Sequence, residues 1–115
     1  MATSKEYYDF IMEQLSGIEN VRSHKMMGEY IIYYKDKVIG GIYDDRFLVK
    51  LTKSARNLMP DAPLELPYEN AKEMLLVKNV DDRQFLAVLL NAVVEELPEI
   101  KKKRLTYGSG NEEII

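Results

Sequence analysis

The run of residues 30–34, Tyr-Ile-Ile-Tyr-Tyr, restricts the fold of this chain more than any other segment. Aromatic and β-branched side chains pack well on a pleated sheet and therefore favour strands. Polar turns at 35–37 and 44–45 separate this run from two further apolar segments, 38–43 and 46–51. Aspartate in such a turn tolerates the left-handed backbone that tight reversals need. Three strands joined by short turns predict an antiparallel meander.

Apolar residues at helical spacing predict helices on both sides of the meander. Positions 8, 11, 12, 15 and 18 form one apolar stripe, which predicts a first helix over residues 4–16. A short second helix is predicted after Thr52, and a third over residues 81–96. Further strands are predicted at 21–27, 64–68 and 73–78.

Two of these helices have the spacing of a capping box at their start. Thr3 and Glu6 stand three residues apart before the first helix, and Asp81 and Gln84 do so before the third. In a capping box the side chain of the first residue accepts a hydrogen bond from the backbone amide of the second. The side chain of the second residue in turn accepts one from the backbone amide of the first. We therefore predict Thr3 and Asp81 as the capping residues.

The fold class that follows is α+β, a two-layer sandwich of order α-β-β-β-α-β-β-α. Antiparallel connections place the helices mainly on one face of an antiparallel sheet. The length of 115 residues suits one domain. We predict that this domain occupies residues 1–98 and that residues 99–115 form a loosely ordered tail.

Composition excludes several kinds of chemistry. The chain has no cysteine and one histidine, His24. Disulfides, thiol nucleophiles, thiolate zinc sites and paired-histidine metal sites are therefore excluded, and we expect no cofactor and no metal. No charged-then-apolar leader and no apolar run of about 20 residues is present, so we expect a cytoplasmic protein without a membrane span.

The charge balance argues against nucleic acid as the main partner. Sixteen basic and nineteen acidic residues give a net charge of −3, whereas phosphate binding needs a surplus of basic groups on one surface. One basic run stands apart, in the predicted tail: Lys101, Lys102, Lys103 and Arg104. A nucleic-acid accessory role through this run is one alternative function.

The tyrosines of the meander are candidate interaction residues: Tyr30, Tyr33, Tyr34 and Tyr43. Alternation along a strand places Tyr30, Ile32 and Tyr34 on one face and Ile31 with Tyr33 on the other. Both faces are apolar, but helices can cover only one, so the other meets a partner, a second copy or water. Tyrosine suits a half-wet interface, although tyrosines at the rim of an ordinary sheet would give the same pattern.

Two further features favour a ligand site only weakly. Gly40-Gly41 in a strand could expose backbone to a ligand, but a bulge or close packing explains it better. Asp44 and Asp45 could work as paired acids, but turn chemistry accounts for them. A small-molecule binder or small enzyme with a cleft near His24 and Asp44 remains the second alternative.

Several segments together form a recognisable combination. They are Lys25-Met26-Met27-Gly28-Glu29-Tyr30, then Tyr33, residues 40–51, Leu66-Pro67-Tyr68, the strand at 73–77 and the closing helix. In this combination, which covers residues 4–97, the chain resembles the TfoX N-terminal domain family. The resemblance implies the α+β fold, a regulatory or protein-interaction role and a link to natural competence.

Two departures limit what the resemblance implies. Glu29 stands where family members often carry the second of two glycines. Full-length competence regulators add a C-terminal domain, for which residues 99–115 leave no room. We therefore predict a non-catalytic regulatory or protein-interaction module, acting as a homodimer or with another protein, and do not carry over competence regulation itself.

Overall fold

The computed structural model describes residues 2–98, in which three helices alternate with two groups of strands. The helices are α1 (Lys5–Gln14), α2 (Lys53–Leu58) and α3 (Arg83–Glu96). The strands are β1 (Val21–Met26), β2 (Glu29–Tyr34), β3 (Lys37–Ile42), β4 (Phe47–Lys50), β5 (Leu64–Glu65) and β6 (Met74–Leu76). The α+β class is confirmed. Four strands precede α2 where the predicted order counts three. The segment predicted as a strand at 21–27 is β1, which that order left out and which pairs with β2 along its whole length.

The six strands form one antiparallel sheet in the order β1-β2-β3-β4-β6-β5. Strands β2 to β4 make the predicted three-stranded meander and β1 extends it by one strand, with two-residue turns at 27–28, 35–36 and 44–45. All six turn residues have a positive φ, between 52° and 86°. This is the pattern of a type I′ turn, whose twist matches that of the flanking strands. The turns therefore fix the register of the meander.

The three helices pack on one face of the sheet, as predicted. Their apolar sides meet the inward side chains of the strands in one core. Its fully buried members include Ile11, Leu15, Ile32, Ile39, Ile42, Phe47, Val49, Leu75, Leu86, Leu89, Leu90 and Val93. Complete burial of each such side chain contributes about 1.5–3 kcal/mol of hydrophobic stabilisation. No helix in residues 2–98 has the length and apolar character needed to cross a bilayer.

The capping residues of α1 and α3 lie one position after those predicted. Ser4, not Thr3, accepts the hydrogen bond from the backbone of Tyr7. Thr3 is buried and donates instead to the Glu29 carboxylate at 2.7 Å, a tertiary contact that holds the chain before α1 against the sheet. Asp82, not Asp81, caps α3. Thr52 caps α2 as predicted.

The start of α2 is tied to the end of α3 by one carboxylate. Glu96 accepts hydrogen bonds from the backbone amides of Lys53 and Ser54, at 3.1 and 2.6 Å, and from the Ser54 hydroxyl. The first amides of a helix have no partner within the helix, so this carboxylate satisfies two of them. The hydrogen bonds, that of the Ser54 side chain foremost, lower the pKa of Glu96.

We expect Glu96→Gln to lower the melting temperature at pH 7, because the amide loses the charge that these hydrogen bonds favour. A lowered pKa means that the contribution is present above the ordinary glutamate pKa and is lost as the pH falls through the folded-state value. The difference from the native chain should therefore shrink in acid, measured by circular dichroism from pH 7 to pH 3. Glu95→Gln, one residue earlier on α3, is the matched control. A pH-independent difference would contradict this assignment.

A β-bulge interrupts the pairing of β2 with β3. Ile32 lies opposite Gly40 and Tyr33 opposite Val38, so Ile39 is the extra residue. Beside the bulge, the backbones of β3 and β4 approach closely. A Cβ built on Gly40 would overlap the carbonyl oxygen of Leu48 and lie 2.8 Å from the Cα of Val49. The structural interpretation of Gly40 as a site of bulging and close backbone approach therefore holds.

Candidate interaction surface

The face of the sheet opposite the helices is here called the outer face. Cross-strand partners share a face, so the register assigns side chains to it from four strands. They are Tyr33 and Ile31 of β2, Val38 of β3, Leu48 and Lys50 of β4, and Met74 and Leu76 of β6. Most of these side chains are apolar. The outer face is therefore an apolar face without helices, on which Leu48 is completely buried and the other apolar side chains are partly buried.

A groove of about 700 Å³ runs over the outer face. Its floor includes Ile31, Val38, Gly40, Tyr43 and Met74. Its wall is the segment between β5 and β6, and its ends include Lys50, Leu51, Thr52 and Leu97. We call this concavity the outer groove. Its size is within the range of about 300–1,000 Å³ that is common for ligand sites.

The wall of the outer groove is held by aromatic contact with the sheet. Pro67 is buried, and the ring of Tyr68 lies 6.1 Å from that of Tyr43 at an angle of 59°. Gly41 leaves space for Tyr43, because a Cβ there would lie 2.6 Å from the Tyr43 ring. Burial, with Tyr68 and Glu29 nearby, raises the pKa of Tyr43. Burial at this position therefore favours the protonated, neutral form of Tyr43.

The net charge of the residues that line the outer groove is opposite in sign to the net charge of the whole chain. The fixed charges that line it are Lys50, Lys72 and Glu73, two positive and one negative. All three side chains are exposed, in a chain whose net charge is −3. Complementary charge directs association more than it adds affinity. The border of the groove thus carries a net charge of one positive unit.

The four candidate tyrosines divide between the two faces of the sheet. Tyr33 lies on the outer face, with the Arg22 guanidinium 4.2 Å from its ring centre, and Tyr43 lines the outer groove. Tyr30 stacks on Tyr8 of α1, with 3.9 Å between ring centres. Tyr34 is 5% exposed and donates a hydrogen bond to Asn91 of α3 at 2.7 Å.

Of the four candidate tyrosines, Tyr33 and Tyr43 lie on the face that the helices leave uncovered. Tyr30 and Tyr34 contact helices, and a charged substitution at Tyr34 would damage the core rather than a docking face. The basic residues Lys101, Lys102, Lys103 and Arg104 lie outside the described residues, as does the predicted tail.

His24 and Asp44 do not share a cleft. His24 lies exposed on β1, opposite Ile31, and Asp44 lies in the turn before β4. Neither lines the outer groove or a smaller cavity of about 220 Å³ beside Met59 and Phe85. Within residues 2–98, no three acidic or histidine side chains are grouped so that they could hold a metal ion.

Asp45, the other acid of the turn, has a structural contact. Its carboxylate accepts hydrogen bonds from the Ser4 amide at 2.8 Å and the Ser4 hydroxyl at 3.1 Å. Ser4 is the capping residue of α1, so this contact joins the helix start to the β3–β4 turn. The two acids therefore point to turn formation and helix capping rather than to paired acid–base chemistry.

Sequence reasoning missed several residues of the outer groove, above all Tyr68, Met74 and Leu97. Their spacing carries no signal, because they come together only when the β5–β6 segment folds over the sheet. The one available sign was Leu66-Pro67-Tyr68, where a proline interrupts an apolar run. We predicted an edge strand over 64–68, but β5 ends at Glu65 and the rest forms the groove wall.

The fold and this surface define a class of protein: a small α+β domain with helices on one sheet face and an open apolar groove on the other. The chain belongs to the TfoX N-terminal domain family, whose model matches residues 13–96. That family is associated with competence regulation.

One similar protein gives no functional information beyond the family. An uncharacterised 12.7 kDa protein encoded in the trpE 5′ region of Spirochaeta aurantia is 30% identical over 105 residues. The match covers 90% of this chain and 91% of that protein. No solved structure gives a significant match.

Proposed function

We propose that this domain is a non-catalytic regulatory module that associates with a second copy of itself through the outer groove. The association of the family with competence regulation supports the regulatory role. The lack of cysteine fits a reducing compartment, and we place the protein in the cytoplasm. Function then depends on protein–protein contact rather than on chemistry at a single residue.

The observation that carries this proposal is the one-sided packing of the sheet. All three helices lie on the inner face, while the outer face keeps a groove lined by Ile31, Val38, Tyr43 and Met74. Contiguous exposed apolar surface with a charged rim is characteristic of interaction sites. Tyrosine and methionine are also enriched at protein interfaces relative to the remaining surface.

The outer groove has a protruding apolar rim beside its concavity, and this arrangement favours a second copy as the partner. Tyr68 and Leu51, which line the groove, are 63% and 49% exposed. Leu66 is 47% exposed and precedes Pro67, which also lines it. A twofold axis brings the same surface of two copies together, so that each contact occurs twice. A projecting rim next to a concave floor suits such pairing, because the rim of each copy enters the groove of the other.

Tyr68→Glu should weaken this self-association at least about tenfold, because a charge would have to be buried in the apolar groove. Tyr68 is largely exposed, so the substitution should leave the melting temperature within a few degrees of the native value. The measurement is light scattering behind a sizing column over a wide concentration range. The native chain is expected to pass from monomer to dimer within that range.

The matched control is Val88→Glu. Val88 is 53% exposed on α3, on the opposite side of the sheet from the outer groove. The Val88→Glu variant should dimerise like the native chain. A native chain that stays monomeric at every concentration would refute self-association, and a dimer equally weakened by both substitutions would remove the groove from the interface.

A further inference from the structure

We propose that residues 111–115 of the same chain fold back into the outer groove and cover the association surface. The sequence of this segment is Asn-Glu-Glu-Ile-Ile, and it lies outside the described residues. The contact would make the domain a module that limits its own association. This regulatory consequence rests on the function proposed above, whereas the intramolecular contact does not.

The path of the chain carries the first part of the argument. Leu97, the residue after α3, lines the outer groove. Its carbonyl oxygen accepts a hydrogen bond from the Lys37 side chain at 3.1 Å, which fixes this position on β3. The chain therefore leaves the described fold at the groove itself. Any apolar segment that follows is held close to the groove at high effective concentration.

The chain after Leu97 is long enough for residues 111–115 to reach the outer groove. Asn111 is the thirteenth residue after Pro98, and a chain of this length spans at most about 43 Å when fully extended. The groove begins at the residue before Pro98, so the segment can return to the groove floor without strain. A connection of this length keeps the cost of loop closure modest, since that cost grows only slowly with length.

The chemistry of the segment matches that of the groove. Ile114 and Ile115 are apolar and β-branched, and Glu112 and Glu113 precede them directly. The groove offers an apolar floor and the two lysines Lys50 and Lys72 at its border. Acidic groups next to isoleucines can meet these lysines while the isoleucines enter the floor.

The contact can be tested in the full chain because the sequence has no cysteine. Asn111→Cys introduces a single attachment point for a nitroxide at the first residue of the segment, before the glutamates and isoleucines whose contacts are proposed. The label should broaden the amide resonances of Ile31 and Met74, on the outer face. It should leave those of Phe10 and Val88, on the helix side, unchanged. Broadening that is absent or equal on both sides would overturn the proposal.

A mixed sample separates this contact from one between copies. Nitroxide-labelled chain without isotope is added to isotope-labelled chain without nitroxide. The reference is the sample in which each chain carries both labels. If Ile31 and Met74 broaden as strongly in the mixture as in that reference, the segment comes from a second copy, and the intramolecular contact is refuted. Absence of broadening in the mixture supports it.

The double substitution Glu112→Lys, Glu113→Lys links the contact to regulation. It should abolish the broadening of Ile31 and Met74, and it should tighten self-association at least about fivefold, at the lower end of ordinary coupling between sites. Lost broadening with unchanged association would leave the contact standing and remove its role in dimerisation. If the native chain forms no dimers but Ile31 and Met74 are still broadened, the proposed self-association is refuted and the intramolecular contact stands.

Discussion

Gly40→Ala is expected to lower the free energy of unfolding by about 3 kcal/mol. Overpacking a well-packed site usually costs about 1–3 kcal/mol, and this site is at the upper end because the obstacle is backbone. The new Cβ would overlap the Leu48 carbonyl and lie 2.8 Å from the Val49 Cα, neither of which can rotate away. Strands β3 and β4 would have to separate at the centre of the sheet. Urea denaturation followed by circular dichroism measures the change.

Gly17→Ala is the matched control for this substitution. A Cβ at Gly17 meets nothing within 4 Å, and Gly17 is not among the residues with a positive φ. Alanine there removes freedom mainly from the unfolded chain, so stability should stay the same or rise slightly. If both variants unfold at the same urea concentration, the close approach of β3 and β4 at Gly40 is not as described.

Phe47→Ala should destabilise the domain by about 3–5 kcal/mol, the range for removing a fully buried aromatic side chain. Phe47 is completely buried on β4, pairs with Ile42, and its carbonyl accepts the amide of Val77 at 2.9 Å. Its ring lies between the sheet and the helices, so truncation to alanine leaves a cavity in the core. The measurement is again the urea midpoint and slope.

Phe10→Ala provides the comparison with the same change of side chain. Phe10 is 41% exposed on α1, and surface truncations usually change stability by about 0.5 kcal/mol or less. A similar loss for the two phenylalanines would mean that Phe47 is not in the core of this domain. An unchanged urea slope for Phe47→Ala would show that the unfolded state is unaffected.

Much of the fold could be predicted from local pattern. The aromatic and β-branched run and the polar turns between apolar segments were sufficient for the meander, because two-residue turns depend on local backbone preference. The caps were one residue off for a physical reason. Thr3 has capping spacing, but its hydroxyl is taken by Glu29, which is distant in sequence. Asp81 and Asp82 are chemically equal, and the choice depends on the turn that precedes α3.

The candidate surface was only partly predictable. Alternation correctly grouped Tyr30 with Tyr34 and Tyr33 with Ile31, since it follows from the geometry of any strand. It could not decide which group the helices cover, because both are apolar. The groove wall was beyond local reasoning, since its position depends on contact between Tyr68 and Tyr43, twenty-five residues apart.

The position of β1 at the edge of the sheet bears on how this protein avoids aggregation. An edge strand offers a row of backbone hydrogen-bonding groups to any other strand, and natural edges are often protected by charge. If two copies paired antiparallel through β1, about a centre between Ser23 and His24, Arg22 of each would face Lys25 of the other. Like charges directly opposite are unfavourable. The charges thus discourage two copies from joining their sheets through β1, so the edge strand carries its own protection against this kind of association.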